Sequence, residues 1–284
     1  MCSNTEEFLK QNLSYYKSIG FYNNYDNKNI DKLVEDFKNF GVDLYYGIPK
    51  EDDDNIRQLF GFLGFDNERT WFIEDIATLY LENDFKDDLY GATLKKLSSI
   101  SGGAFLPENI RVEETGYLDN GCTKLILKFC LSAQEHELIM AVDGNILNLG
   151  FTQELNDLLS DLDRSFVLFE DDYSSTIVLF ITKKQKQTLE NEKKIKFLKY
   201  PSYWYDKANL FMDQEKYEDA KMAFERALSI KDKYSPLHSD YACLLEKLGK
   251  NKEALEQHKL AMENSDHDLY KKIYEERKVS LNRE

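Results

Sequence analysis

The sequence predicts an α+β protein: a helical N-terminal region, an antiparallel sheet with a packed helix, then an all-α module of helical hairpins. Three observations carry this. Apolar residues recur at helical spacing through residues 1–103. Between 104 and 182 the period falls to two and a turn pair separates the runs. From residue 200 onward, small residues recur at an interval of 34. The three spans 1–103, 104–199 and 200–284 are read as regions, the first two packing as one domain.

In the first region, FLKQNLSYYKSIGF sets Phe8, Leu9, Leu13, Tyr16 and Ile19 near one face, with Gly20 as the stop. NIDKLVEDFKNFG repeats Ile30, Leu33, Val34, Phe37 and Phe40 at three- and four-residue steps, with Asn29 as candidate cap and Gly41 as the end. EDDDNIRQLFGFLG opens on carboxylates, which suit a helix N-terminus. WFIEDIATLYLEND and LYGATLKKLSSIS each carry a helical apolar stripe, and Gly102-Gly103 breaks the pattern.

The second region reads as strands. IRVEETGYL and TKLILKFCL form a hairpin about Asn120-Gly121, a pair suited to the positive φ angles of a tight turn. Leu125, Leu127 and Phe129 alternate with Lys124, Ile126 and Lys128. ELIMAVDGN is a third strand ending at Asp143-Gly144. FTQELNDLLSDLD is a helix with Thr152 as candidate cap and Leu155, Leu158, Leu159 and Leu162 on one side. SFVLFEDDYSSTIVLFIT supplies two more strands, giving one antiparallel sheet of order β-β-β-α-β-β along the chain. The charged stretch KKQKQTLENEKKIKFLK is expected to be a solvated helix leading into the third region.

In that region Ala208, Ala220 and Ala227 align with Ala242, Ala254 and Ala261, 34 residues on, and Leu228 aligns with Met262. This is the period of a helix-turn-helix repeat. Small side chains let paired helices approach, while Trp204, Phe211, Tyr217 and Phe224 fill the space between pairs, because one hairpin cannot bury its apolar face alone. Over residues 201–267 the sequence resembles the tetratricopeptide repeat family. The first unit carries Trp204, Ala208, Phe211, Tyr217, Ala220, Phe224 and Ala227 in the family's order. The second keeps Ala242, Leu245, Gly249, Ala254 and Ala261, and departs at His238, Asn251 and His258, where the family usually has aromatic residues. Two repeats are few for a stable array, so DLYKKIYEERKVSL is expected to cap the second unit through Leu269, Ile273 and Val279. KKIKFLKY is expected to cap the other side through Ile195, Phe197 and Leu198.

The resemblance implies that the first helix of each hairpin lines an inner face, with Tyr205, Asn209, Met212, Ser239, Cys243 and Glu246 as candidate partner contacts. Family members that grip a chaperone's terminal carboxylate use a cationic clamp there. Here only Asn209 fits that role, and Tyr205, Asp213 and Asp240 stand where cations or an amide would help, so an anionic terminus is not the expected ligand. The same face could instead pack against the chain's own α+β region.

Charge narrows the partners. The net charge is −15, and residues 1–110 hold 20 Asp/Glu against 11 Lys/Arg. Such a field repels nucleic-acid phosphates and anionic membranes and attracts basic partners. Glu51, Asp52, Asp53 and Asp54, with Asp84, Asp87 and Asp88, are the candidate contacts for a basic protein. The start shows neither a signal peptide nor a lipoprotein signature at Cys2, no apolar run is long enough to cross a membrane, and Cys2, Cys122, Cys130 and Cys243 are scattered as reduced thiols would be. The expected location is cytoplasmic.

No catalytic constellation in the sequence is compelling. His136 lies between Glu135 and Glu137, but adjacent strand residues face opposite sides and cannot both orient its ring. Cys122 and Cys130 would need a nearby histidine, and EDDD at 51–54 and EDD at 170–172 lack calcium-loop spacing. No phosphate loop, dinucleotide fingerprint, nucleophile elbow or zinc-protease motif occurs. The expectation is a non-catalytic protein-interaction protein with no cofactor and no metal, in its sharpest form an inhibitor or immunity-type protein that neutralises a basic partner. The alternatives are an enzyme of unrecognised type, with its site between the sheet and the N-terminal helices, and a self-associating structural adaptor.

Overall fold

The computed structural model describes residues 3–21, 31, 76–80, 89–117, 121–142, 147–170 and 175–281. Along the chain these form α1 (Ser3–Ser18), β1 (Ile76–Tyr80), α2 (Leu89–Ile100), β2 (Glu108–Tyr117), β3 (Thr123–Leu131) and β4 (Gln134–Val142). There follow a 3-10 turn (Leu149–Phe151), α3 (Thr152–Leu158), β5 (Arg164–Glu170), β6 (Ser175–Thr182) and α4 (Lys183–Glu192). The helices α5 (Pro201–Asp213), α6 (Tyr217–Ile230), α7 (Ser235–Lys247), α8 (Asn251–Glu263) and α9 (Asp268–Leu281) complete it. The class is α+β with antiparallel sheets and a C-terminal run of helical hairpins, as the periodicities require. Two units divide the chain, Met1–Arg111 with Phe129–His136 and Thr152–Leu198, and Val112–Lys128 with Glu137–Phe151 and Lys199–Glu284. Three of the five boundaries between them fall inside β2, β3 and β4. Apart from Asp31, the helix expected over residues 30–40 lies outside the described residues, as do the one opening at Glu51 and the turn residues Asn120, Asp143 and Gly144.

In the first unit β6 is the middle strand of a sheet ordered β1-β6-β5, antiparallel on both sides. Ile177, Val178, Leu179, Phe180 and Ile181 are all fully buried, so this strand is covered on both faces and shows no alternation. Its neighbour β1 corrects the sequence reading. IATLY was expected to continue a helix, but it pairs with β6 from Ile76 opposite Leu179 to Tyr80 opposite Ser175. Periodicity cannot separate a short apolar run in a helix from one in a buried strand, and here the pairing demand of β6 decides. The expected single sheet is likewise two, since β2, β3 and β4 form a separate sheet in that order.

The open edge of β5 is blunted. Phe166 donates its N–H to the Asn156 side-chain oxygen at 2.7 Å, and the Asn156 amide donates back to the Phe166 carbonyl at 2.8 Å. Two residues on, the Leu168 carbonyl accepts from Leu198 N–H at 2.6 Å. A side chain and an irregular segment thus satisfy edge groups that would otherwise invite another strand. The segment KKIKFLKY, expected as a cap, contributes to this unit. Ile195 is buried in this unit and the Phe197 ring meets Phe169 edge-on, 6.2 Å between centroids. Phe105 packs against Phe129 and Phe166, and Phe166 against Phe180, which makes an aromatic centre for the unit.

Two helix ends show how local sequence sets these elements. α1 stops where Gly20 takes φ +97°, with Gly20 N–H bonded to the Lys17 carbonyl and Phe21 N–H to that of Tyr16. This double closure is the Schellman pattern, and the Tyr16 and Phe21 rings supply its apolar contact. α4 begins with a reciprocal capping box, in which Thr182 Oγ1 accepts from Gln185 N–H and the Gln185 side chain accepts from Thr182 N–H. α1 is tied to α4 by the Tyr15 hydroxyl, which donates to the Glu192 carboxylate at 2.8 Å. Burial, and then that carboxylate, push the Tyr15 pKa up to about 12.

In the β2-β3-β4 sheet the expected alternation of β3 holds, with Leu125, Leu127 and Phe129 buried. Lys128 on its other face reaches the Glu113 carboxylate on β2 at 2.9 Å and Glu137 on β4 at 3.9 Å. β3 turns into β4 through Ser132 and Ala133, both at positive φ, a two-residue turn built without asparagine or glycine.

Candidate functional site

The period of 34 survives as geometry. Where α5 ends, Glu215 sits at φ +58°, and where α7 ends, Gly249 sits at φ +71°. Lys216 N–H bonds the Phe211 carbonyl at 2.9 Å, and Lys250 N–H bonds that of Leu245 at 2.8 Å. Each next helix then starts alike, Ala220 N–H on the Lys216 carbonyl and Ala254 N–H on that of Lys250, both at 2.9 Å. Two successive helix pairs, α5–α6 and α7–α8, therefore share one hairpin design. Their six aligned alanines are 0–1% exposed, which is what close helix approach demands. Of the four wedge aromatics, Trp204 and Phe224 are buried, and Phe211 and Tyr217 are half-buried.

The first helices of the pairs meet along one seam. On α5 the Tyr205 hydroxyl donates to the Asp240 carboxylate on α7. On α7, Glu246 accepts from His258 Nε2 of α8 at 2.8 Å and forms an ion pair with Arg277 of α9, Nε to carboxylate 3.3 Å. The seam thus runs α5, α7, α9. Burial raises the pKa of Tyr205, with Asp240 adding to it, and burial raises that of Asp240 as well. The Cys243 thiol is pushed up by burial and then by Glu246 and Asp240, so it is a poor nucleophile at neutral pH.

Among the candidate contacts, Tyr205, Asn209, Met212, Cys243 and Glu246 are half-buried and Ser239 is buried. Tyr205 is also hydrogen-bonded by the Asn209 side chain. Two of the six are thus committed to neighbouring helices, Tyr205 through Asp240 and Glu246 through His258 and Arg277. Arg277 is a seam residue beyond those six. Arg277 lies 34 residues beyond Cys243, so extending the period once more would have found it. The acidic candidates Glu51, Asp52, Asp53, Asp54, Asp84, Asp87 and Asp88 lie outside the described residues.

The histidines that depart from the repeat pattern are structural in their contacts. His238 is buried, with Nε2 2.6 Å from the Asp232 carbonyl and Nδ1 2.7 Å from the Gln257 side chain. A carbonyl only accepts, so Nε2 carries the proton. His136 stacks on Phe129 at 5.7 Å, and Cys130 Sγ lies 3.7 Å from the Asn109 amide. Among the described residues no group of three His, Cys, Asp or Glu side chains is arranged for a metal, and no helix is long and apolar enough to cross a membrane.

Residues 201–234 match the tetratricopeptide repeat family. The match covers α5, α6 and the turn to α7, within the run of hairpins, and the rest of the chain has no family match. No curated protein and no solved structure matches the chain. Tetratricopeptide repeats bind proteins or peptides and are typically non-catalytic, which suggests a protein–protein interaction role.

Proposed function

We propose that this chain is a non-catalytic protein-interaction protein that holds a protein or peptide segment on the seam of α5, α7 and α9. The observation that carries this is the repeat match at residues 201–234, set within two hairpins of one design. The Asn209 amide and Met212 thioether, half-buried on α5, are the groups offered to a partner there, with Cys243, half-buried on α7. Residues 200–284 form the binding module in this reading. The partner is basic and the protein acts in the cytoplasm as an inhibitor or immunity-type protein. What supports this finer version is the charge of residues 1–110, 20 acidic against 11 basic, since opposite potentials speed encounter and help select a partner.

The test is capture of partners by the immobilised full-length chain, compared with Asn209→Ala/Met212→Ala and repeated in high salt. A partner lost in the double variant supports the seam, and one retained by it overturns that placement. Salt-resistant capture of the same partner would overturn the electrostatic version, because screening shortens the reach of surface charges to about 3 Å at 1 M.

A further inference from the structure

α9 begins at Asp268, 33 residues after α7 begins at Ser235, so it takes the place of a third first helix in the array. One side of it is used. Tyr270, Ile273 and Tyr274 are half-buried, and Arg277 reaches Glu246. Of the three residues expected to cap the second unit, Ile273 is half-buried, whereas Leu269 and Val279 are 51% and 53% exposed on another side. With exposed Lys272 and Glu276 they form the stripe Leu269–Lys272–Glu276–Val279. Its steps of three, four and three residues are those of a helix-pairing seam.

We propose that this stripe pairs two copies of the chain, α9 against α9, antiparallel about a two-fold axis at residue 274. The order of the stripe is what selects a second copy. Antiparallel superposition about that point sets Leu269 on the partner copy's Val279 and Lys272 on its Glu276, and symmetry repeats each contact. Apolar meets apolar and each cation meets an anion, so the surface is complementary to itself. Glu275 comes beside the axis, and Lys271 and Lys278 of its own helix, one turn to either side, offset that like charge. Fourteen residues make a helix about 21 Å long. A seam of that length buries less than the ~1,200–2,000 Å² of a standard interface, so the pair is weak and concentration-dependent. The pairing uses a different side of α9 from the Arg277 seam, and its failure would leave the peptide-binding reading intact.

Sedimentation equilibrium of the full-length chain, from low micromolar to millimolar concentration, tests this with two exposed-site variants that leave the core untouched. Lys272→Glu gives a stripe with two anions and Glu276→Lys one with two cations. Each alone is expected to raise the dimer dissociation constant about tenfold or more, as like charges face each other. An equimolar mixture of the two is expected to associate again, as is the double swap Lys272→Glu/Glu276→Lys. A chain that stays monomeric throughout overturns the proposal. So does a dimer that neither single variant weakens, or a mixture that associates no better than its components.

Discussion

Replacing Gly150 by alanine should disrupt the second unit through one contact. Gly150 lies in the 3-10 turn after β4, against α5, and an added Cβ would stand 2.3 Å from Tyr203 Cβ and 2.4 Å from its Cγ. Carbon atoms settle about 3.5–4.0 Å apart, so the two segments must separate by about 1.2–1.7 Å. Tyr203 cannot swing aside, because its Cβ is fixed to the α5 backbone and the residue is 1% exposed. Overpacking costs about 1–3 kcal/mol and more when backbone moves. The stiffer unfolded chain returns about 0.4–1 kcal/mol, which leaves a net loss near 2 kcal/mol. Urea unfolding followed by near-ultraviolet circular dichroism reads this out. With a slope of about 2 kcal/mol/M the midpoint falls by about 1 M. Adding Tyr203→Ala should not restore it, since alanine keeps the offending Cβ. A Gly150→Ala midpoint equal to that of the unaltered protein would refute the close approach.

Four further substitutions test other features of the fold. Glu215→Gly should stabilise by about 0.5–1 kcal/mol, because Glu215 holds φ +58° where the aligned Gly249 bears no Cβ penalty, and a lower thermal midpoint would contradict it. Ser132→Asn with Ala133→Gly should also raise the midpoint, as this pair suits the positive φ angles of the β3–β4 turn. His238→Phe matches the repeat pattern yet should lose about 1–3 kcal/mol in chemical unfolding, because the Asp232 carbonyl and the Gln257 side chain lose their partner. Burial holds the Asp240 pKa above its ordinary 3.8, so just above pH 3.8 the native chain binds more protons than the unfolded one and stability falls as pH rises. Asp240→Asn removes that titration, so its stability relative to the unaltered protein should improve between pH 3 and pH 7, and a gap that stays constant would count against the buried carboxylate.

Much of the seam was legible because a repeat states its geometry twice. Ala208 and Ala242 identify close helix approach, and Tyr205, Asn209 and Cys243 fall on first helices by position alone. What those side chains do there was not legible. That Tyr205 is held by Asp240, and Glu246 by His258 and Arg277, depends on rotamers and helix packing across 12 to 35 residues. The β3–β4 turn escaped notice for a different reason. Ser-Ala carries no turn preference of its own, and the paired strands force the positive φ angles on it.

By itself the sequence determined the class of each stretch and the existence of the hairpins. Local spacing suffices when a face must be buried every 3.6 or every two residues, and an interval of 34 admits few alternatives. Only the tertiary structure decided that IATLY is a strand, that the described strands divide into two sheets, and that Leu198 bonds the edge of β5. Those outcomes are settled by hydrogen-bond partners far along the chain. A short apolar run suits a helix or a strand equally until β6 offers it a row of unpaired backbone groups.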